Sequence, residues 1–192
     1  MRGFAAVVLA SVAVVACAAC NKSEKSAPEP AQTAGAIAIQ LDTCTDVDFC
    51  QSRCDAGGAD DCRRLAVTFQ LGRGATKDEA RAAALFEKAC TLKSANACTS
   101  AGQMYEYAHG VAKDDAKAAR FYETSCDGGY PPGCFNFAIM LENGRGIAQD
   151  EWKAAHYYDI ACSAGAQQAC ARAIELRKLP PRMVDAGLEP AP

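Results

Sequence analysis

The chain has 192 residues, with 20 Lys and Arg against 23 Asp and Glu and a net charge of −3. That length allows one or two domains, and a mildly acidic chain without a basic stripe gives no footprint for nucleic acid. Twelve cysteines are out of place in a reducing cytosol and point to an oxidising compartment.

At the amino terminus, Arg2 precedes an apolar run from Phe4 to Ala16. Its 13 residues are too few to span a bilayer and match a signal-peptide core. The run leads into Val14-Val15-Ala16-Cys17 and then Ala18-Ala19-Cys20. Small residues before a cysteine resemble a bacterial lipobox, whose cysteine is lipidated before cleavage. Cys17 is the expected lipidation site, because Val14 stands three places upstream. Cys20 is the alternative, followed by Asn21-Lys22-Ser23, and ordinary cleavage without a lipid is the plainer reading. Residues 1–20 are thus expected to be a signal peptide with a lipobox-like end. Residues 21–40, rich in Lys, Glu, Ser, Pro, Ala and Gln, are expected to be a flexible linker that lifts the domain off a membrane.

The rest, 41–179, reads as one helical repeat domain. Residues 41–53 form a half-repeat cap, a lone second helix. In one straight helix Cys44 and Cys50 would lie about 9 Å apart by helical rise, too far for a disulfide. Either the helix starts between them or one of them pairs elsewhere; Cys44–Cys50 is the favoured pairing. From there Cys54, Cys90, Cys126 and Cys162 recur every 36 residues, and Cys62, Cys98, Cys134 and Cys170 follow each by eight. A fixed period of this size means stacked supersecondary units. The repeats are 54–89, 90–125 and 126–161, with a terminal half-repeat at 162–179.

Each unit reads as two helices. Apolar residues at helical spacing (Leu65, Ala66, Phe69; Phe137, Ala138, Leu141) build the first. It stops at Gly72/Gly74 or Gly144/Gly146, where a left-handed cap is cheap. In the middle copy Ala108 replaces the first glycine, and a looser turn is expected. Asp78, Asp114 and Asp150 are placed to cap the second helix, with Glu79, Asp115 and Glu151 at its positive end. That helix carries an Ala pair and then an apolar pair: Leu85/Phe86, Phe121/Tyr122, Tyr157/Tyr158. Pro180-Pro181 stops the last helix, and 180–192 is expected to be a disordered tail.

The pattern C-x7-C, apolar helix, G-x-G, D-x-x-K-A and paired aromatics resembles the Sel-one-like repeat, a relative of the tetratricopeptide repeat. The cysteine pair in each unit is similar to its disulfide-rich branch, the Helicobacter cysteine-rich proteins. The resemblance covers about two-thirds of the chain. It implies an all-α fold, an αα-hairpin solenoid coiling as a right-handed superhelix and stapled by disulfides. Eight residues across a helix hairpin can bring two Cα atoms within disulfide range, so Cys54–Cys62, Cys90–Cys98, Cys126–Cys134 and Cys162–Cys170 are the expected bridges. Zinc sites favour tighter cysteine knuckles with a second pair or histidines nearby, and neither accompanies these cysteines; no metal or cofactor is expected.

For function, two readings stand. Members of the similar cysteine-rich family bind penicillin or hydrolyse β-lactams weakly, yet S-x-x-K, S-D-N and K-T-G are absent, as is G-x-S-x-G. His109 and His156 fall at a turn and an outward helix position, so no catalytic residue is assigned. The favoured reading is a binding scaffold of the bacterial envelope, periplasmic or outer-membrane and held by its lipid, or secreted. Its partner would be a protein or peptide segment, and not nucleic acid. In such solenoids the first helices line the concave face. The expected contact residues are the variable polar positions there: Arg64 and Asn136; Gln70, Glu106 and Glu142; Tyr107 and Asn143.

Overall fold

The computed structural model describes residues 43–178. They form eight helices in antiparallel hairpins: α1 (Val47–Asp55), α2 (Ala59–Leu71), α3 (Glu79–Thr91), α4 (Ala95–Glu106), α5 (Asp115–Asp127), α6 (Pro131–Asn143), α7 (Glu151–Ser163) and α8 (Gln167–Leu176). Among the described residues there is no strand, and no helix is long and apolar enough to cross a membrane. The chain is an αα-hairpin solenoid. The even-numbered helices are the first helices of the units and the odd-numbered ones the second. The signal-peptide, lipidation (Cys17, Cys20) and linker readings, and the reading of residues 180–192 as a tail, fall outside the described residues.

Each second helix starts on an aspartate whose carboxylate accepts a backbone N–H three residues on: Asp78 from Arg81, Asp114 from Lys117, Asp150 from Lys153. Asp46 does the same for α1 through Phe49. The first helices begin at Gly58, Ser94, Tyr130 and Ala166 with no side-chain cap. A covalent closure stands at those ends instead. Cys54–Cys62, Cys90–Cys98, Cys126–Cys134 and Cys162–Cys170 tie the last turn of each second helix to the first turn of the next helix. Their Cα–Cα separations are 4.6, 4.6, 4.4 and 4.8 Å. The Cys44–Cys50 bridge spans 6.2 Å between Cα atoms. It is compatible with the helix because α1 starts at Val47, between the two cysteines.

The core lies between the helices of each hairpin and between neighbouring hairpins. The alanine pairs Ala82/Ala83, Ala118/Ala119 and Ala154/Ala155 are buried and let the helices approach, while Leu65, Phe86, Met104, Tyr122, Met140 and Leu141 fill the layers. On the terminal helix Ile174 is 59% exposed, whereas Ala66, Gly102 and Ala138 at the same register are buried, Gly102 against the Tyr122 ring of the second helix of its own unit.

The middle turn corrects one expectation. It is not looser: His109 N–H donates to Met104 O at 2.9 Å, as Arg145 does to Met140 at 3.0 Å and Arg73 to Thr68 at 3.2 Å. Ala108 holds this turn at φ 57°, a left-handed conformation that costs an L-residue about 1–2 kcal/mol. The second glycine of the turn has a separate reason. A Cβ on Gly146 would stand 2.1 Å from the Asp115 carbonyl carbon, at the start of the preceding second helix, and Gly146 has φ +69°. Gly146→Ala is therefore expected to destabilise by about 3 kcal/mol or more, combining a backbone collision with a left-handed alanine. Ala108→Gly relieves strain at some cost in chain entropy and is expected to stabilise by up to about 1 kcal/mol. Urea denaturation of both variants checks the pair; equal and small effects would contradict the close approach at Gly146.

Candidate functional site

Exposed positions along the first helices α2, α4, α6 and α8 differ from repeat to repeat. At one register the carboxyl ends of these helices present Leu71, Tyr107 and Asn143. Leu71 is 50% and Tyr107 59% exposed; Asn143 is also exposed, and its amide donates back to Ile139 O. Tyr107 caps α4, with its ring 6.0 Å from that of His109. Arg64 and Asn136 are half-buried one register further in, and half-buried Gln70 points its amide at Met104 Sδ of the next first helix, 3.7 Å away.

The structure separates the two glutamates from this exposed set. Glu106 is only 8% exposed. The Tyr122 hydroxyl donates to it at 2.5 Å, and Arg145 Nη2 donates from the turn of the following unit at 2.6 Å. The expectation that Glu106 is a free contact residue is corrected: its carboxylate is an internal strut between two units. Burial, and then the neighbouring Glu106 carboxylate, push the Tyr122 phenol well above its ordinary range, so it stays a neutral donor. Glu142 repeats the arrangement in part. It accepts from Tyr158 at 2.8 Å and from Arg172 Nε at 2.9 Å. The Arg172 hydrogen bond holds its carboxyl below the usual range, against the opposing effect of burial. The first unit lacks the set, with Gln70 for the glutamate and Phe86 for the tyrosine. Tyrosine thus accompanies glutamate in two units and phenylalanine accompanies glutamine in the third; that covariation between internal copies marks the strut in the sequence.

One cluster carries residue types used in catalysis. The Tyr105 hydroxyl donates to Glu87, and Lys117 Nζ lies 2.5 Å from that hydroxyl and 3.1 Å from Glu87. Burial and then Glu87 raise the Tyr105 phenol, with Lys117 opposing. Burial alone would lower the Lys117 ammonium, but its bonds to Tyr105 and Glu87 outweigh that and hold it high. A tyrosine base or lysine nucleophile needs the opposite shifts, so the cluster reads as a tie between α3, α4 and α5. Among the described residues no group of three or more His, Cys, Asp or Glu is placed to hold a metal. His109 and His156 are exposed.

Stacked two-helix units with a variable first-helix face define a helical repeat protein. The Sel1 repeat family model matches residues 59–94, 95–130 and 131–165, and the chain belongs to that family. No curated protein matches it. Among solved structures, it is similar to a Sel1 repeat protein from Oxalobacter formigenes, with 24% identity and a TM-score of 0.63 over 69% of this chain and 99% of that one. It is similar to c5321, a protective antigen of uropathogenic Escherichia coli strains with an SLR fold, at 22% identity and TM-score 0.61, over 65% of this chain and 27% of that one. It is also similar to cysteine rich protein B of Helicobacter pylori, at 26% identity and TM-score 0.52, covering 65% and 90%.

Proposed function

We propose that the protein is a binding scaffold of the bacterial envelope, secreted or lipid-anchored, that holds a protein or peptide segment on the concave face lined by its first helices. The observation that carries this reading is the contrast along those helices. The repeated cysteines Cys62, Cys98 and Cys134 and the small residues Ala66, Gly102 and Ala138 are buried, whereas Leu71, Tyr107 and Asn143 differ at one register and stand exposed. Membership of the Sel1 repeat family, whose solenoids generally serve as interaction scaffolds, supports it. Five disulfides among the described residues fit an oxidising compartment outside the cytoplasm.

Tyr107 is the expected anchor, since aromatic side chains dominate interface energies. A ligand can be selected from a displayed peptide library on the purified protein. Tyr107→Ala is expected to weaken its binding by about 2 kcal/mol, roughly thirtyfold, while unfolding free energy stays within about 0.5 kcal/mol of wild type. Unchanged affinity in this variant and in Asn143→Ala would move binding off this face.

A further inference from the structure

The four first helices place a side chain at one inner register: Arg64, Ser100, Asn136 and Arg172. The last shows what an arginine does there. Arg172 Nε donates to Glu142, 30 positions earlier on the neighbouring first helix, and Nη1 donates to Glu175, three positions later, at 2.6 Å. Arg64 has neither acid. Val67 stands three positions later, and Ala34 thirty positions earlier lies outside the described residues. The acids nearest in sequence on α2 are engaged, Asp60 with Arg63 and Asp61 with Arg53. Arg64 Nε is buried with no hydrogen-bond partner. A guanidinium nitrogen removed from water and left without an acceptor is costly, and a carboxylate in fork geometry is its natural complement.

We infer that Arg64 receives a carboxylate carried on a helical segment of a partner protein that lies beside α2, in the place Glu142 holds beside α8. This rests on the reading of the first-helix face as a binding surface. The occupant is specified by charge and by the chain's own precedent. The precedent is α8, where Arg172 is answered by Glu142 of the neighbouring first helix; at α2 an arginine stands at the same register with its Nε unpartnered.

The probe is a helix-stabilised peptide copying residues 131–148, with both ends blocked, so that Glu142 is carried as it is in α6. A second peptide has Glu142→Gln, and a third has Glu142→Gln with a free terminal carboxylate. Fluorescence anisotropy is measured with the full chain and with Arg64→Gln and Arg64→Lys. The expected result is a preference of about tenfold or more for the Glu peptide in wild type, lost in Arg64→Gln and only partly kept in Arg64→Lys. A merely structural arginine would not move that preference; it would shift melting alone, which is recorded alongside. No Glu preference in wild type, with Tyr107-dependent binding intact, overturns the role of Arg64 and leaves the face reading standing. A preference that survives in Arg64→Gln overturns it too. Preference for the free-carboxylate peptide overturns the helix-borne source. Binding that appears only after Glu24→Gln and Glu29→Gln would assign the carboxylate to this chain's own amino-terminal segment and overturn the partner assignment.

Discussion

Reduction of the disulfides is expected to leave the repeat domain marginally stable or unfolded at room temperature. Each repeat bridge joins cysteines eight apart and restricts the unfolded chain by about 2.5 kcal/mol in the chain-entropy model. Four together contribute on the order of 10 kcal/mol, which is the whole net stability of an ordinary domain. The bridges also sit where the first helices lack side-chain caps, so their loss frees the helix starts. Cys90→Ser with Cys98→Ser removes a single bridge and is expected to cost about 2.5 kcal/mol, a fall in melting temperature of roughly 5–15 °C. Circular dichroism melts with and without reductant, and of the paired variant, check this. A melting temperature unmoved by complete reduction would show that packing alone holds the solenoid.

Reversing the charge at Glu106 is expected to be the most damaging single substitution on the first-helix face. Glu106→Lys puts an ammonium at an 8% exposed position, strands the Tyr122 hydroxyl and places two cations side by side where Arg145 Nη2 now meets the carboxylate at 2.6 Å. Breaking a buried pair costs about 3–5 kcal/mol; Arg145 is 36% exposed and can swing into water, which sets the expectation near the lower figure. Glu142→Lys meets Arg172, whose side chain is 43% exposed, and is expected to cost about 1–2 kcal/mol. Gln70→Lys disturbs no ion pair and is expected to stay within about 0.5 kcal/mol. The ordering Glu106, Glu142, Gln70 in urea denaturation is the test. A Glu106→Lys protein as stable as wild type would contradict the strut.

How far these features could be seen in advance depended on their range in sequence. The two-helix unit and the glycine turns follow from residues a few positions apart. So do the capping roles of Asp78, Asp114 and Asp150, which repeat every 36 residues. The role of Glu106 did not follow, because its partners lie 16 and 39 positions away, in the second helix of its own unit and in the turn of the next. A polar residue at a varying position reads as a solvated contact until that geometry is known. Ala108 misled for a related reason: propensity favours a glycine there, but the hydrogen bonds of the shared turn, anchored by Gly110 against the Glu79 backbone, hold alanine in the same conformation. Tyr107 and Asn143 were the easier part, since each ends a first helix at the register just before its turn; Leu71 at that register was missed, because an apolar residue at a helix end reads as core although it is 50% exposed.

Site-specific photo-crosslinking in intact cells tests the central claim, that the first-helix face is where this scaffold is occupied. A photoreactive residue is placed in turn at Leu71, Tyr107 and Asn143, and at Ala84, Arg120 and His156, which are exposed on the second helices. The account predicts a discrete crosslinked species from the first set and none from the second. The same species from Ala84, Arg120 and His156, with nothing from Leu71, Tyr107 and Asn143, would contradict it.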